Sequence, residues 1–315
     1  MNQKYFFERN SCPICKNNKF LTIYSCDFLK DPIKTYIENF YNPLGNIDFD
    51  LLINSTFVIC ECNNCNFFFQ KQIPNEFLNK KIYTEWIDPD KHFYRHLTIY
   101  NDKNYYSKIA QEIMILIDYF NARPNNINFF DYGMGWGYWC QMAQAFGCNT
   151  FGYEVSELQI KNVKTKGISV INWDDIPKHS FDFINTEQVF EHINDPLETL
   201  CYLKKSLNQN GLIKISVPNG NGIKKKIKFL NQGKTSHLHD YLEAILPFQH
   251  INCFTHESVI KMAKLAGFKQ KKIPLIIIYA NSTNWRLIRP LMINCIKPLY
   301  SNVFSRGTSL YFEKI

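Results

Sequence analysis

One stretch of the sequence, residues 128–139 (NFFDYGMGWGYW), constrains the fold more than any other. An apolar run leads into Asp131, and glycines then occupy positions 133, 135 and 137. Glycine has no Cβ, so a backbone built this way can turn sharply and approach a ligand closely. A helix-compatible segment follows and stops at Gly147, which predicts strand, tight turn and helix. Because the first amides of a helix are free, they can bind a ligand held in the turn.

Spaced glycines alone also fit a nicotinamide or flavin site, so the strands that follow matter. A second apolar run ends in Glu154, where a carboxylate can accept hydrogen bonds from ribose hydroxyls. A third run, 168–171, leads to Trp173 and Asp174, which offer a stacking face and an acceptor for adenine. Residues 181–185 read as a fourth strand.

Helical patterns alternate with these strands. Ile109, Ile113 and Leu116 repeat at helical spacing, and Ser156 with Gln159 three residues later is a capping-box pattern. Such alternation predicts an α/β fold with a parallel sheet covered on both faces and ligands at the carboxyl ends of its strands. The predicted helices are 104–120, 139–146, 156–167, 196–207 and 255–266, and the last two predicted strands are 272–279 and 308–313.

In this order the motifs resemble those of the class I S-adenosylmethionine-dependent methyltransferases. The resemblance rests on the glycine turn at 131–137, Glu154, the segment 181–192 (FDFINTEQVFEH) and the segment 207–219 (LNQNGLIKISVPN). It covers residues 125–270 and implies a Rossmann-like, seven-stranded sheet with S-adenosylmethionine as methyl donor. A dinucleotide-binding oxidoreductase is the alternative interpretation.

The same resemblance implies which residues contact S-adenosylmethionine. Tyr132 and Trp136 depart from the family pattern, in which smaller residues are also common, so the fit of the pocket walls stays open. The implied contacts are Asp131, Gly133, Gly135 and Gly137 for the methionine moiety, Glu154 for the ribose, Trp173 or Asp174 for adenine, Thr186, Glu187 and Gln188 beside the sulfonium, and Tyr132 and Val155 without an assigned part of the cofactor.

Two C-x-x-C pairs in the first 65 residues predict a metal site. Each pair can form a turn that presents two thiolates to one tetrahedral zinc ion, and four thiolates make that zinc structural. Cys26 or Cys60 could replace a ligand, and free cysteines in turns are the other interpretation. The two pairs are Cys12 with Cys15 and Cys62 with Cys65.

A zinc module ahead of a class I domain resembles a group of bacterial sugar methyltransferases. This resemblance implies a small-molecule acceptor, a sugar or nucleotide-linked sugar of a surface polysaccharide or secondary metabolite, with O-methylation preferred over C-methylation. The alternatives are an RNA methyltransferase and a non-catalytic S-adenosylmethionine-binding protein. The predicted division is a zinc-ribbon-like module at 1–75, a connecting segment with the first helix at 76–122, and the methyltransferase domain at 123–315, whose insertion at 220–250 covers the acceptor.

A sugar hydroxyl or a carbon acid must lose a proton on methyl transfer, and histidine has a near-neutral pKa suited to removing it. By the resemblance, His192 lies beside the methyl-donor pocket, with Glu191 able to orient it. His250 lies where the insertion returns to the sheet. Either histidine is a candidate base, and packing of His192 against the cofactor is the alternative. His237 and His239 are weaker candidates.

The composition limits which kinds of binding partner to expect. The chain has 315 residues and a formal net charge of +8, with a lysine run at 224–228 that could bind a phosphate or form a solvated face. No arginine-rich strip is present, which disfavours nucleic acid, and a homo-oligomer is compatible with the sequence. The 11 cysteines, without a signal peptide or a bilayer-length apolar run, lead us to expect a cytoplasmic protein. The basic segment 285–293 is expected to pack in the core or to form a lid.

Overall fold

The computed structural model of the chain describes residues 5–88, 91, 102–232, 240, 242–281 and 307–315. His237, His239 and the basic segment 285–293 lie outside these ranges. Among the residues described, no helix has both the length and the apolar composition needed to cross a membrane.

The chain forms two compact units, each drawn from three stretches of sequence. The domain boundaries drawn from the sequence stay a prediction. The first unit comprises Met1–Ile99, Phe190–Pro196 and Pro218–Met262, and the second comprises Tyr100–Val189, Leu197–Val217 and Ala263–Ile315.

The strands are β1 Phe6–Glu8, β2 Phe20–Asp27, β3 Thr56–Cys62, β4 Phe68–Gln70, β5 Gln72–Pro74, β6 Asn128–Tyr132, β7 Asn149–Tyr153, β8 Ser169–Val170, β9 Phe181–Glu187, β10 Leu207–Ser216, β11 Asn252–Cys253, β12 Phe268–Lys271 and β13 Ser309–Lys314. The α-helices are α1 Ile33–Tyr41, α2 Glu76–Lys81, α3 Lys103–Phe120, α4 Tyr138–Ala145, α5 Glu157–Thr165, α6 Pro196–Lys204, α7 Ile223–Asn231, α8 His256–Leu265 and α9 Leu275–Ala280.

The second unit is built on a seven-stranded sheet with the strand order β12-β13-β10-β9-β6-β7-β8. The five strands from β10 to β8 run parallel, and β13 lies antiparallel between β10 and β12. Chain order reverses between β6 and β9, and sheets of this kind bind ligands at the carboxyl ends of the strands at such a point. The predicted Rossmann-like fold class is confirmed.

Apolar side chains of the central strands and of α3 form the core of this unit. Phe129 of β6 and Phe183 of β9 pack with Trp139 of α4, and Ile113 and Leu116 of α3 belong to the same buried cluster. The helical periodicity of α3 therefore matches the face that it buries. Its predicted bounds and those of the other predicted helices are confirmed to within a few residues.

The prediction of a strand at 272–279 is wrong. The chain forms the short strand β12 earlier, and the isoleucine-rich segment after Pro274 is the helix α9. Ile277 and Ile278 pack against the core cluster of the second unit. Tertiary packing thus overrides the β-propensity of a branched apolar run.

The first unit contains a four-stranded antiparallel sheet, β11-β4-β3-β2, and a two-stranded sheet, β1-β5. Its core is aromatic, with Phe248 near the centre and Phe28, Tyr41 and Trp86 around it. The Tyr41 hydroxyl donates to the Pro247 carbonyl at 2.8 Å. Residues around 248 are therefore an integral part of this core, which fixes the backbone that carries His250.

A buried ion network joins α3 to the sheet of the second unit. Lys214 on β10 is 5% exposed, and its Nζ lies 2.9 Å from Oε1 of Glu112 and 2.7 Å from Oε2 of Glu187. Tyr311 and Trp139 also donate to Glu112. Burial alone would raise the pKa of Glu112, but Lys214 and the other donors lower it overall.

We predict that Lys214→Met destabilises the protein by about 3–5 kcal/mol, because Glu112 would be left buried without its cation. Glu187→Gln is the matched control: its side chain is half exposed, so the loss should stay below about 1 kcal/mol. Urea unfolding followed by circular dichroism measures both. Equal midpoints for Lys214→Met and the unsubstituted protein would show that the network adds nothing to stability.

Candidate functional site

The predicted glycine turn has left-handed backbone at each of its three glycines. The φ angles of Gly133, Gly135 and Gly137 are +78°, +54° and +72°. The amides of Gly133 and Met134 donate to the Tyr153 carbonyl at 2.9 and 3.0 Å, which ties the turn to β7. The glycines are needed because other residues adopt this conformation only at a cost in free energy.

The three glycines differ in what surrounds them. A Cβ on Gly133 would lie 2.5 Å from Val189, and one on Gly137 would lie 2.6 Å from Ile168, so the protein itself fills those places. A Cβ on Gly135 would meet no atom of the described residues within 4 Å. The side of the turn at Gly135 is thus open to a ligand, as a cofactor that lies against the backbone requires.

Glu154, the predicted ribose acid, is joined to this open part of the turn. Its Oε2 accepts from the Gly135 amide at 3.0 Å, and its Oε1 accepts from the amides of Val155 and Ser156 at 2.7 and 3.0 Å. The Ser156 hydroxyl accepts from the Gln159 amide, so the predicted cap of α5 is present. The Ser156 amide donates to Glu154, which places the acid firmly at the end of β7.

Asp131 lies at the carboxyl end of β6 and is buried. Asn185, its register partner on β9, donates to Oδ1 of Asp131 at 2.9 Å. Burial raises the pKa of Asp131 to about 7, although the bond from Asn185 opposes this shift. A carboxyl group with such a pKa can gain or lose its proton near neutral pH.

The residues predicted near adenine belong to an aromatic cluster. Trp173 begins a short 3₁₀ helix, and its ring stacks on Tyr202 with centroids 4.3 Å apart. Tyr132 and Tyr153 stack on each other at 5.2 Å, and both lie beside Trp173. One face of Trp173 is therefore occupied by the protein. Asp174 follows in the same 3₁₀ turn.

The residues predicted beside the sulfonium are held by β10. The Thr186 hydroxyl is buried and donates to the Lys214 carbonyl at 2.7 Å, while Glu187 accepts from Ser216 and pairs with Lys214. Gln188 has a positive φ of 54°, and its amide donates to the Ser216 carbonyl. The hydroxyl of Thr186 thus forms its hydrogen bond within the sheet.

The structure brings the four predicted cysteine ligands together in the first unit. Their sulfurs all lie within 4.8 Å of one another, with Cys12 Sγ 3.4 Å from Cys65 Sγ and Cys15 Sγ 3.5 Å from Cys62 Sγ. Four sulfurs at this spacing fit a tetrahedral metal ion such as zinc.

The two cysteine turns are built alike. The residue after each pair, Lys16 or Asn66, has a left-handed φ of 56° or 55°, and its amide donates to the carbonyl of the first cysteine at 2.9 Å. Hydrogen bonds from the Cys65 thiol and from backbone amides lower the pKa of Cys12. Such turns aim amides at a thiolate and so stabilise its negative charge.

The two cysteines left open by the sequence are outside this group. The Cys26 thiol donates to the carbonyls of Asp27 and Lys30, and Cys60 Sγ lies 3.8 Å from the Thr22 hydroxyl. Neither is among the four sulfurs that gather in the described part of the chain.

The three predicted catalytic residues also lie together, in the first unit. Donor atoms of Glu191, His192 and His250 are within 4.8 Å of one another, and Nε2 of His192 is 3.8 Å from Oε1 of Glu191. The rings of the two histidines meet edge to face with centroids 4.9 Å apart. The sequence paired Glu191 with His192 and gave His250 as a separate candidate, and the structure brings all three together.

Backbone carbonyls orient both imidazoles. Nδ1 of His192 donates to the Gln249 carbonyl at 3.0 Å, and Nδ1 of His250 donates to the Glu243 carbonyl at 2.6 Å. Burial lowers the pKa of His192 to about 3 and that of His250 to about 4. Both rings are therefore neutral at pH 7, with Nε2 as the unprotonated nitrogen.

Asn185 and Lys214 are polar residues of the second unit that sequence reasoning did not single out. Asn185 directly follows the apolar run's Ile184 and Lys214 lies between Ile213 and Ile215, and a polar residue next to such isoleucines is the signal that could have found it. The lysine run at 224–228, which the sequence left as a phosphate site or a solvated face, has partners within its own chain. Lys224 pairs with Glu61 at 2.7 Å and Lys226 donates to the Asp240 carbonyl, which favours an exposed face with partners in its own chain.

Solved structures with similar folds were found at low sequence identity. The plantazolicin methyltransferase BpumL, in complex with a pentazolic desmethylPZN analogue and SAH, is 15% identical over 75% of this chain and 94% of that chain, with a TM-score of 0.48. PKMT2 from Rickettsia typhi is 13% identical over 65% of this chain and 53% of that chain, with a TM-score of 0.41. At these values neither neighbour carries an argument about activity or substrate. A comparison with curated proteins finds no match.

A family model described as "Methyltransferase domain" matches residues 102–272, which is more than half of the chain. The match contains the glycine turn, Glu154 and the strands β6 to β10. By this match and its class I sheet, the chain belongs to the methyltransferase-domain family, and it is an S-adenosylmethionine-dependent methyltransferase.

Proposed function

We propose that the glycine turn and Glu154 hold S-adenosylmethionine and that the enzyme methylates a sugar or a nucleotide-linked sugar. The observation that carries the cofactor site is the open place at Gly135, beside an acid that already accepts from the Gly135 amide. Of the three left-handed glycines in the turn, Gly135 is the one at which the described part of the chain leaves room for a ligand.

S-adenosylmethionine supplies an electrophilic methyl group on a cationic sulfonium. The protein has mainly to align donor and acceptor and to exclude water. Glu154 would accept hydrogen bonds from the ribose, and Trp173 with Tyr132 would form the wall beside adenine. Asp131 is the buried anion for the positively charged part of the cofactor.

The acceptor proposal rests on the combination of a four-cysteine module with the methyltransferase domain. A sugar hydroxyl is preferred as the methylated group. Incubating the enzyme with nucleotide sugars and S-adenosylmethionine, followed by mass spectrometry, tests it directly. A gain of one methylene mass on a nucleotide sugar supports the proposal. Methylation of peptides or RNA, with nucleotide sugars left unchanged, would contradict it.

His192 and His250 are the two predicted candidates for the catalytic base, and Glu191 lies beside them. Both imidazoles are neutral at pH 7, but burial lowers their pKa values to about 3 and 4, which makes them weak bases in this fold. Zinc at the four cysteines is proposed as structural, because four thiolates leave no position for substrate or water.

We predict that Gly135→Ala lowers affinity for S-adenosylmethionine at least tenfold, because the new methyl group would occupy the open place. Gly167→Ala is the matched control: Gly167 has a similar φ of +74°, and a Cβ there also meets nothing within 4 Å. Both changes should cost about 1–2 kcal/mol in stability, since both force a left-handed alanine. Calorimetric titration measures the affinities. Unchanged affinity of Gly135→Ala for S-adenosylmethionine would show that the cofactor does not bind beside Gly135.

Affinity for S-adenosylmethionine should fall with pH below about 7, because Asp131 then becomes protonated and loses its attraction for a cation. The expected slope approaches about tenfold per pH unit well below the pKa of Asp131. Asp131→Asn should bind more weakly at neutral pH and lose this slope. Calorimetry in a pH series tests both proteins, and identical pH profiles would show that Asp131 does not face the cofactor.

We expect thiolate-bound zinc in the purified protein and its loss in Cys62→Ser, with a lower thermal midpoint. Cys60→Ser is the matched control, since Cys60 is buried on the same strand and does not belong to the four-sulfur group. Cobalt substitution followed by absorption spectroscopy reports thiolate ligation through charge-transfer bands. Loss of these bands in Cys60→Ser, or their survival in Cys62→Ser, would overturn the ligand assignment.

A further inference from the structure

The Glu191, His192 and His250 group has the donor set of a metal site. Two donors at about 2.1 Å from one metal ion lie at most about 4.2 Å apart, so donors within 4.8 Å need side-chain movements of about 1 Å to bind it. Two imidazoles and one carboxylate suit divalent transition metals, including zinc. The side chain of His192 is 31% exposed, so an ion can reach the group from solvent.

The two imidazoles are oriented as metal ligands usually are. A ligating histidine commonly donates its second ring N–H to a backbone carbonyl or a carboxylate, which fixes the tautomer and the ring plane. Here His192 and His250 both donate from Nδ1, to Gln249 and Glu243 respectively. Nε2 of each ring therefore keeps a lone pair, and that of His192 faces Glu191.

The backbone that carries Glu191 and His192 is also held in place. Asn252 donates from Nδ2 to the carbonyls of Phe190 and Ile193 at 3.0 and 2.6 Å. Arg9, which is 7% exposed, donates to Oδ1 of Asn252 and to the Asn194 carbonyl. Because Asn252 lies two residues after His250, one set of hydrogen bonds positions all three donor residues.

We propose that Glu191, His192 and His250 bind a divalent transition-metal ion, zinc being the probe, separate from the ion of the four cysteines. Three protein ligands leave one position of a tetrahedral zinc open for water or for an acceptor oxygen. A hydroxyl bound there loses its proton at lower pH than it does in water. In such a site the histidines would be metal ligands and not free bases. The proposed metal site does not depend on which acceptor the enzyme methylates.

The test is the metal stoichiometry of the full chain. Protein stripped with a chelator is dialysed against zinc, and the bound metal is determined per chain by elemental analysis. The unsubstituted protein should bind one ion more than His250→Gln and one more than Glu191→Gln. His256→Gln, a histidine of the same unit outside the group, is the matched control and should bind as the unsubstituted protein does.

Cobalt distinguishes the two sites. The extra ion should add ligand-field bands without thiolate charge transfer, and His250→Gln should remove those bands while the thiolate bands persist. Circular dichroism confirms that the variants are folded. The proposal is overturned if the unsubstituted protein binds only thiolate-held metal, or if folded His250→Gln and Glu191→Gln both keep the full stoichiometry.

Discussion

The second unit depends on a left-handed backbone turn at the carboxyl end of β6, and several elements pack against it. The turn is tied to β7 through the Tyr153 carbonyl. Val189, just past β9, fills the place of a Cβ at Gly133, and Ile168 and Val163 do so at Gly137. Of the three glycines of the turn, Gly135 alone has no described atom within 4 Å of the place that a Cβ would take. The turn proposed to hold the cofactor is therefore shaped by the packing of the sheet and its helices and not by the loop alone.

Two carboxyl groups of this unit, Glu112 on α3 and Asp131 on β6, show how direct contacts decide charge. Glu112 receives a cation and several donors, so its pKa is lowered despite burial. Asp131 receives a bond from Asn185 and a weak one from the Cys140 thiol, and no cation pairs with it directly among the residues that the structure describes, so burial raises its pKa to about 7. A carboxyl group in that state gains most from a cationic ligand, because the ligand supplies the charge that the protein withholds. Lys214 on β10 thus neutralises Glu112, whereas Asp131 has a carboxyl group that a cationic ligand would stabilise.

The sequence predicted the features that local spacing determines. Glycine spacing predicted the turn, strand endings predicted Glu154, and paired C-x-x-C motifs predicted the cysteine group, all of which the structure contains. The isoleucine-rich segment 275–280 was misread because its helix is set by packing against distant residues. The carbonyl partners of the histidines and the Lys214 network could not be predicted from the sequence either, because they depend on contacts between residues that are distant in the chain.

The two candidate metal groups of the first unit also differ in how far local sequence determines them. Each cysteine turn is complete within a few residues, so its backbone amides and its left-handed residue are local properties of the sequence. The Glu191, His192 and His250 group joins segments more than fifty residues apart, and it is oriented by carbonyls and by Asn252. The Lys16–Asp195 ion pair, at 2.8 Å, connects the first cysteine turn to the segment that carries Glu191 and His192. Both side chains of this pair are about half exposed, so it adds less than about 1 kcal/mol to the connection between the two groups.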